Sequence, residues 1–254
     1  MNDPSEPRPT EGDWIAWIRE ASELIDRDDF VVRVSDELVF KQLWGICVQT
    51  IRHARAYVLL VDAEFEREAM VLARAALEHA VTAQWAFHRN DGLSKLRVSM
   101  IRDEKENIEM VGKWFSDDGL LATAAAITVP QGRGLPSFTD MMRDLDEERF
   151  LENSYGSLSL AVHVRSTTQT SYFAGEAEDL LLRHEPSHAL RGPATNMAAM
   201  AAMLAVAIIM ELVDDQAALT RINEESERLN LPPTLRPGIS EAKRRPGPGE
   251  NTPW

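Results

Sequence analysis

Two charged residues, Arg74 and Glu78, stand four positions apart in a stretch of sequence that is otherwise mostly apolar. Four positions turn an α-helix by about 40°, so both side chains would share one face of a helix. A buried Arg or Glu is costly unless it has a partner of opposite charge. Two interpretations stay open at this point: a structural ion pair inside a helical bundle, or a polar site in which Arg74 stabilises negative charge.

A second group of polar residues, Tyr155, Ser159 and His163, repeats at intervals of four. On a helix the three side chains would form one slanted ridge. Apolar residues flank the ridge and predict that it faces the core, where it needs polar partners. Arg74 and Glu78 are the candidate partners. A neutral imidazole close to a carboxylate can act as a general acid or base.

Helical periodicity extends through most of the chain. Apolar residues recur at intervals of three and four, the pattern of helices that bury one face. The predicted helices are one through Trp14 and Leu24, then Glu37–Asp62, Glu64–His88, Leu93–Phe115, Ser137–Phe150, Asn153–Val164 and Thr195–Leu229. Predicted loops are Thr128–Ser137 and Leu182–Pro193, and Thr167–Ala174 is either a further helical turn or a continuation of the helix before it. No segment has the pattern of a strand. The expected fold class is all-α, a bundle of about six or seven helices.

Both ends of the chain have a composition unsuited to a packed core. Residues 1–11 contain three prolines, and Leu231–Trp254 contains six prolines and a basic group at Lys243–Arg245. Such segments bury too little apolar surface to offset the entropy of ordering them. We therefore expect disordered segments at 1–11 and 230–254 around one helical-bundle domain at 12–229.

Cysteine content and the start of the chain favour the cytoplasm. The single cysteine, Cys47, allows neither an intrachain disulfide nor a thiolate metal cluster. Met1–Thr10 lacks the apolar core of a secretory signal. The longest apolar run, Met197–Met210, is about 14 residues long, whereas a membrane span needs roughly 20. We expect a buried helix there and no contact with a membrane.

The chain carries 41 acidic and 27 basic residues, which is a formal net charge of −14. A protein that coats nucleic-acid phosphates would have the opposite charge, although one focused cationic pocket around Arg74 is compatible with this total. His184 and His188 have the spacing of helical metal ligands, but Pro186 between them disfavours a regular helix. No other metal or cofactor motif is present, so we predict neither a metal nor a cofactor.

Two short motifs contain the polar residues described above. They are Ala73-Arg74-Ala75-Ala76-Leu77-Glu78 and Tyr155-Gly156-Ser157-Leu158-Ser159-Leu160-Ala161-Val162-His163. They resemble a bacterial family of all-α proteins of unknown function, the DUF5677 type, which is similar to the wider HEPN group of helical bundles. The resemblance covers roughly Val39 to Val213 and implies a HEPN-like fold with disordered ends. The chain departs from the family pattern at Val164-Arg165-Ser166, where the family commonly has a proline soon after the histidine.

Many HEPN proteins are metal-independent RNases of toxin–antitoxin and anti-phage systems, so the resemblance implies an endoribonuclease effector. His163 would be the general base or acid, Arg74 would stabilise the phosphorane, and Glu78 would orient Arg74. Ser159 and Tyr155 would position the phosphate. RNA would be the substrate, and an antitoxin or another protein would be a partner.

The other hypothesis is a noncatalytic helical module that binds a protein or a small ligand. The same polar residues would then form a structural network inside the bundle. The net charge of −14 favours this hypothesis, because an acidic surface weakens the binding of RNA. HEPN-like bundles often pair, so the resemblance implies a homodimer under either hypothesis.

Overall fold

The computed structural model describes residues 8–26, 37–163, 172–174, 181–182 and 190–245, and these ranges contain nine α-helices. The helices are α1 (Glu11–Ile25), α2 (Glu37–Asp62), α3 (Glu66–His88), α4 (Gly92–Phe115), α5 (Asp118–Ala126), α6 (Phe138–Leu145), α7 (Phe150–Val162), α8 (Arg191–Leu212) and α9 (Gln216–Leu229). Two short 3-10 turns follow at Arg236–Gly238 and Glu241–Lys243. The all-helical class is confirmed, with more helices than the predicted six or seven.

Three helices, α2, α3 and α8, form the centre of the bundle. Every residue of α8 from Met197 to Met210 is buried. Its many small Ala side chains let neighbouring helix axes approach closely, and its Met side chains fill the irregular gaps. The helix α3 also packs against α7, which places Arg74 and Glu78 within reach of that helix.

The helix α8 is long and apolar enough to cross a membrane, but 83% of its most apolar 18-residue stretch is buried inside the bundle. A membrane span would instead turn much of that surface towards lipid. Its surroundings are those of a buried core helix, as predicted for Met197–Met210.

The predicted helix Thr195–Leu229 is in fact two helices. Between α8 and α9, Asp214 adopts the left-handed conformation with a φ of 54°. The carboxylate of Asp215 accepts a hydrogen bond from the backbone N–H of Ala218 at 2.9 Å, which is the bond that an N-cap residue makes. The change from apolar to acidic residues at this point therefore marks a break between helices.

Side-chain caps also begin α5 and α6. Ser137 accepts a hydrogen bond from the backbone N–H of Asp140 at 3.2 Å, and the predicted helix from Ser137 to Phe150 ends early, at Leu145. Asp117 accepts from the backbone N–H of Leu120 at 3.0 Å. The sequence pattern predicts only the end of a helix near Asp117, whereas the cap there starts α5 as well.

A short antiparallel pairing joins Phe173–Ala174, which we call β1, to Leu181–Leu182, or β2. The prediction of helix for Thr167–Ala174 is therefore wrong for its last two residues. Residues 164–171 and 183–189 lie outside the described ranges. Residues 183–189 make up most of the second predicted loop and include His184 and His188. Residues 1–7 and 246–254 of the two predicted disordered ends also lie outside.

Residues 230–245, which composition assigns to a disordered end, pack against the bundle. Leu231 and Ile239 are buried in the core. The backbone N–H of Arg245 donates to the carbonyl of His88 at 2.7 Å. Prolines limit regular structure in such a segment, but buried side chains and backbone hydrogen bonds still anchor it. The described domain therefore extends to residue 245 and not to 229.

The domain also begins earlier than the predicted residue 12. The hydroxyl of Thr10 accepts from the backbone N–H of Asp13 at 3.3 Å, and the Asp13 carboxylate accepts from the backbone N–H of Thr10 at 2.8 Å. This reciprocal capping box satisfies two backbone donors at the start of α1. The last residues of the predicted disordered segment 1–11 are therefore part of the folded domain.

Candidate functional site

Arg74 and Glu78 of α3 meet Tyr155 of α7 in a closed triangle of hydrogen bonds, which we call the Arg74 network. Arg74 Nε donates to Glu78 Oε1 at 3.1 Å, and Arg74 Nη2 donates to the Tyr155 hydroxyl. That hydroxyl donates to the same Glu78 oxygen at 2.7 Å. The structure thus brings together three of the five predicted site residues, and each satisfies a polar group of another.

The ring of Tyr155 has two close neighbours. Its centroid lies 4.9 Å from that of Phe138 in α6, and the guanidinium carbon of Arg74 lies 4.6 Å from it. A cation over an aromatic face adds attraction to the hydrogen bond. Burial raises the pKa of Tyr155, and the hydrogen bond to Glu78 raises it further. The phenol therefore stays neutral near pH 7 and acts as both donor and acceptor.

The Arg74 network leaves little capacity for a substrate. One oxygen of Glu78 already accepts from both Arg74 and Tyr155. The Arg74 side chain is only 19% exposed, and the Glu78 side chain is 37% exposed. A phosphate approaching from solvent would meet the carboxylate more readily than the guanidinium, and like charges repel. The arrangement holds helices together better than it binds an anion.

Ser159 and His163 are placed elsewhere. The hydroxyl of Ser159 donates to the backbone carbonyl of Tyr155 at 2.7 Å, a bond within its own helix. His163 is the C-cap residue of α7, and its side chain is exposed. Eight residues separate it from Tyr155, which is about 12 Å along a helix. The predicted ridge therefore divides, and only its first residue faces Arg74.

A second buried polar group on α3 contains Gln84 and His88, which the sequence patterns did not single out. Gln84 Nε2 donates to the carbonyl of Leu204 at 3.0 Å, and Gln84 Oε1 accepts from the backbone N–H of Leu235 at 2.8 Å. Gln84 therefore joins α8 to the C-terminal segment. The sequence signal that could have identified Gln84 and His88 is the one used for Arg74 and Glu78: two polar residues four positions apart in an otherwise apolar helix.

His88 lies beneath the same C-terminal segment. Its Nε2 is 3.0 Å from the hydroxyl of Thr234. Burial, together with the charges of Arg236 and Arg245, lowers the pKa of His88 to about 3. A histidine that stays neutral throughout the physiological range is a structural hydrogen-bonding group, because it cannot accept a proton there.

Asp144 of α6 joins α3 to the C-terminal segment. It accepts hydrogen bonds from Trp85 Nε1 at 3.0 Å, from Arg89 and from Lys243 Nζ at 3.2 Å. Burial alone would raise the pKa of Asp144, but the hydrogen bonds from Arg89 and Lys243 outweigh it and lower the pKa. The carboxylate is therefore ionised and engaged by its three donors at neutral pH.

A further polar group joins α1, α2, α3 and α8. Arg191 donates to Glu11 and to Glu66, each at 2.5 Å. The Tyr57 hydroxyl lies 2.7 Å from the hydroxyl of Thr195, and burial raises the pKa of Tyr57 to about 12. These contacts join α8 to residues of α1, α2 and α3 that lie at least 125 positions earlier in the chain, so the group stabilises the tertiary packing.

Metal and thiol sites are not evident in the described part of the chain. No group of three or more His, Cys, Asp or Glu side chains there is arranged to hold a metal ion. The thiol of Cys47 is buried, and burial raises its pKa to about 12. A thiol with so high a pKa is not a nucleophile near neutral pH.

Comparison with known proteins does not identify a family. No protein-family model matches the chain, and searches of curated proteins and of solved structures find no similar protein. The resemblance to the DUF5677 and HEPN groups therefore stays a prediction from two short motifs. The function has to be argued from the geometry of this chain.

Proposed function

We propose that this chain is a noncatalytic helical interaction module in which Arg74, Glu78 and Tyr155 form a structural network. The observation that carries the proposal is the closed triangle of hydrogen bonds among these three residues. A network in which partly buried polar side chains satisfy one another makes the packing of two helices specific. The network therefore fixes how α3 and α7 pack against each other.

An endoribonuclease would need different geometry at these residues. Its acid–base group has to lie near the cation that stabilises the phosphorane. His163 stands about 12 Å further along α7 than Tyr155, and the hydroxyl of Ser159 binds its own helix. Arg74 is engaged by Glu78 and Tyr155 instead, which favours the structural network over the nuclease.

An interaction module needs accessible apolar surface, and α4 supplies it. Trp114 is 78% exposed and Phe115 is 70% exposed, and their rings stack with centroids 5.7 Å apart. Large exposed aromatic residues are enriched at protein interfaces. The cytoplasm remains the proposed location, for which the single, buried Cys47 is the support.

Inducible expression of the wild type beside Arg74→Ala and His163→Ala tests the proposal, with growth and RNA integrity measured in a host that lacks any cognate antitoxin. We expect intact RNA and unchanged growth for all three proteins. Sedimentation of the purified wild type tests the predicted homodimer in parallel. Degraded RNA with the wild type, and intact RNA with a well-folded His163→Ala, would overturn the module in favour of the nuclease.

A further inference from the structure

The helix α4 is attached to the bundle only near its beginning. Leu96 and Val98 are buried in the first two turns. Further along, Gly112 is the next buried residue of α4, and a Cβ there would lie 3.1 Å from side-chain atoms of both Leu120 and Leu121 in α5. The outer part of α4 therefore packs against α5 and not against the core. We call this helical hairpin, residues 92–126, the arm.

One face of the arm carries a stripe with heptad spacing. Leu96, Met100, Asp103, Asn107, Met110 and Trp114 follow one another at alternating intervals of four and three. This is the spacing of a coiled-coil seam. Leu96 packs on the core, whereas Met100, Met110 and Trp114 are 46%, 56% and 78% exposed.

The arm's own second helix does not cover this stripe. Gly112, which contacts α5, is two residues before Trp114 and thus about 160° away around the helix. The stripe therefore faces away from α5. Exposed apolar side chains that share a helix face with a core residue, as Met100, Met110 and Trp114 do with Leu96, are typical of a surface that another helix covers.

The middle of the stripe is acidic. Asp103 lies in the stripe, and Glu104 and Glu106 flank it; all three are exposed and form no ion pair within the described ranges. Lys105, on the opposite side of the helix from Asp103, donates to a backbone carbonyl just after α5 at 3.2 Å, and Lys113 pairs with the glutamate one turn before it at 2.5 Å. Two further basic residues, Arg97 and Arg102, lie before the acidic section, and neither forms an ion pair with Asp103, Glu104 or Glu106 within the described ranges. An occupant of the stripe should therefore carry positive charge.

A second copy of this chain fits the stripe poorly. A two-fold pairing brings the middle of a surface against itself, so Asp103, Glu104 and Glu106 would face the same three carboxylates. Like charges brought together in this way oppose association. An anionic bilayer is disfavoured for the same reason. Of these possible occupants, a basic segment of a partner protein is the one whose charge complements the middle of the stripe.

We propose that the exposed stripe of α4 binds a basic amphipathic helix of a partner protein. Apolar residues of that helix pack on Met100, Met110 and Trp114, and its Lys or Arg side chains pair with Glu104 and Glu106. Asp103 and Asn107 are the polar positions of the stripe, and polar residues at seam positions help to set the register of paired helices. This inference rests on the proposed interaction function and names the chemistry of the partner.

A designed peptide of about three heptads, with Leu along its seam and Lys beside it, is the probe. Fluorescence anisotropy of the labelled peptide measures binding to the full chain at low salt. We expect the double variant Met110→Ala/Trp114→Ala to weaken binding at least about tenfold. The matched control is Leu59→Ala/Phe65→Ala, which removes two apolar side chains that are 59% and 55% exposed and lie outside the arm. It should leave the affinity within about twofold.

Charge reversal tests the acidic part of the stripe. Glu104→Lys/Glu106→Lys should weaken peptide binding about tenfold. Glu224→Lys/Glu227→Lys makes the same change in net charge on two exposed carboxylates of α9 and should change the affinity much less. All four positions are exposed, and circular dichroism checks that each variant is folded.

Several results would overturn the inference. They are absent peptide binding, equal losses from the arm and control variants, equal binding of a peptide with Glu in place of Lys, or self-association of the wild type that Met110→Ala/Trp114→Ala abolishes. If RNA stays intact while the peptide fails to bind, only this partner chemistry is wrong. If the wild type degrades RNA, the interaction module itself is wrong.

Discussion

The hydroxyl of Tyr155 is the only group of α7 that joins Arg74 and Glu78 in the network described above. Without it the two α3 residues would still contact each other at 3.1 Å, but both hydrogen bonds that join the pair to α7 would be lost, and the contact of Arg74 with the aromatic ring would remain. The network therefore contributes to the packing of α7 more than to the helicity of α3. Both hydrogen bonds between α7 and the pair depend on this one oxygen atom.

Tyr155→Phe removes that oxygen and keeps the aromatic ring against Phe138. We expect the free energy of unfolding to fall by about 1–2 kcal/mol, because a half-buried Arg and Glu each lose a hydrogen bond. Urea denaturation measures the change. Ser159→Ala is the control, since that hydroxyl binds only its own helix, and it should cost at most about 0.5 kcal/mol. Equal effects of the two variants would show that the network adds nothing.

His88 predicts how stability depends on pH. Its pKa is about 3 in the native state against an ordinary value of 6.5, so the unfolded chain takes up a proton first as the pH falls. Stability from this group is complete above about pH 6.5 and is lost towards pH 3, at a slope that approaches about 1.4 kcal/mol per pH unit. Arg236 and Arg245, the charged neighbours that lower this pKa, stay protonated throughout.

Urea unfolding of the wild type between about pH 7 and pH 5 measures this slope, and His88→Gln is the comparison. The variant keeps a hydrogen-bonding side chain but does not titrate. The wild type should lose more stability than His88→Gln over this interval. Parallel pH profiles would mean that the native site accepts the proton after all.

The C-terminal segment is an element that depends on close backbone approach. A Cβ at Gly238 would lie 1.7 Å from the carbonyl oxygen of Leu145 in α6, and backbone atoms cannot yield as a flexible side chain can. Glycine at this position therefore lets the 3-10 turn lie directly on the end of α6. No local sequence pattern indicates that position 238 requires glycine.

Gly238→Ala should lower the free energy of unfolding by about 2 kcal/mol or more, because the segment has to move away from α6. Thermal unfolding followed by circular dichroism provides the measurement. Gly45→Ala in α2 is the control, since nothing lies within 4 Å of a Cβ there. That substitution should raise stability by about 0.5–1 kcal/mol. An unchanged melting temperature for Gly238→Ala would contradict the close packing described here.

At the scale of the whole molecule, residues 231–245 cover one end of the bundle. They bury Leu231 and Ile239 and supply the backbone donor from Leu235 that Gln84 accepts. Loss of the segment would expose apolar side chains and leave a deeply buried amide without that donor. The domain should therefore fold cooperatively only when the segment is present.

Truncation after Asn230 should cost several kcal/mol and lower the melting temperature by many degrees. Differential scanning calorimetry measures the loss. Truncation after Arg245 is the control, because it keeps every contact described for the segment. Identical melting curves for both truncations would refute the assignment of residues 231–245 to the domain.

Long periodic helices were predictable from the sequence. The predicted bounds of Glu37–Asp62 are those of α2, because an apolar face that recurs every three or four residues defines a helix locally. The split of Thr195–Leu229 was not predictable in this way. Apolar and acidic stretches both suit a helix, and the break depends on the backbone of Asp214 and the cap at Asp215.

The sequence by itself determined the all-α class, the buried α8 and the spacing that aligns Arg74 with Glu78. These are local properties, because helix geometry converts spacing directly into direction. Only the tertiary structure decided that Tyr155 of a separate helix joins the pair, and that residues 231–245 pack on the core. Those outcomes depend on where one helix ends against another, and contacts between distant segments set that position.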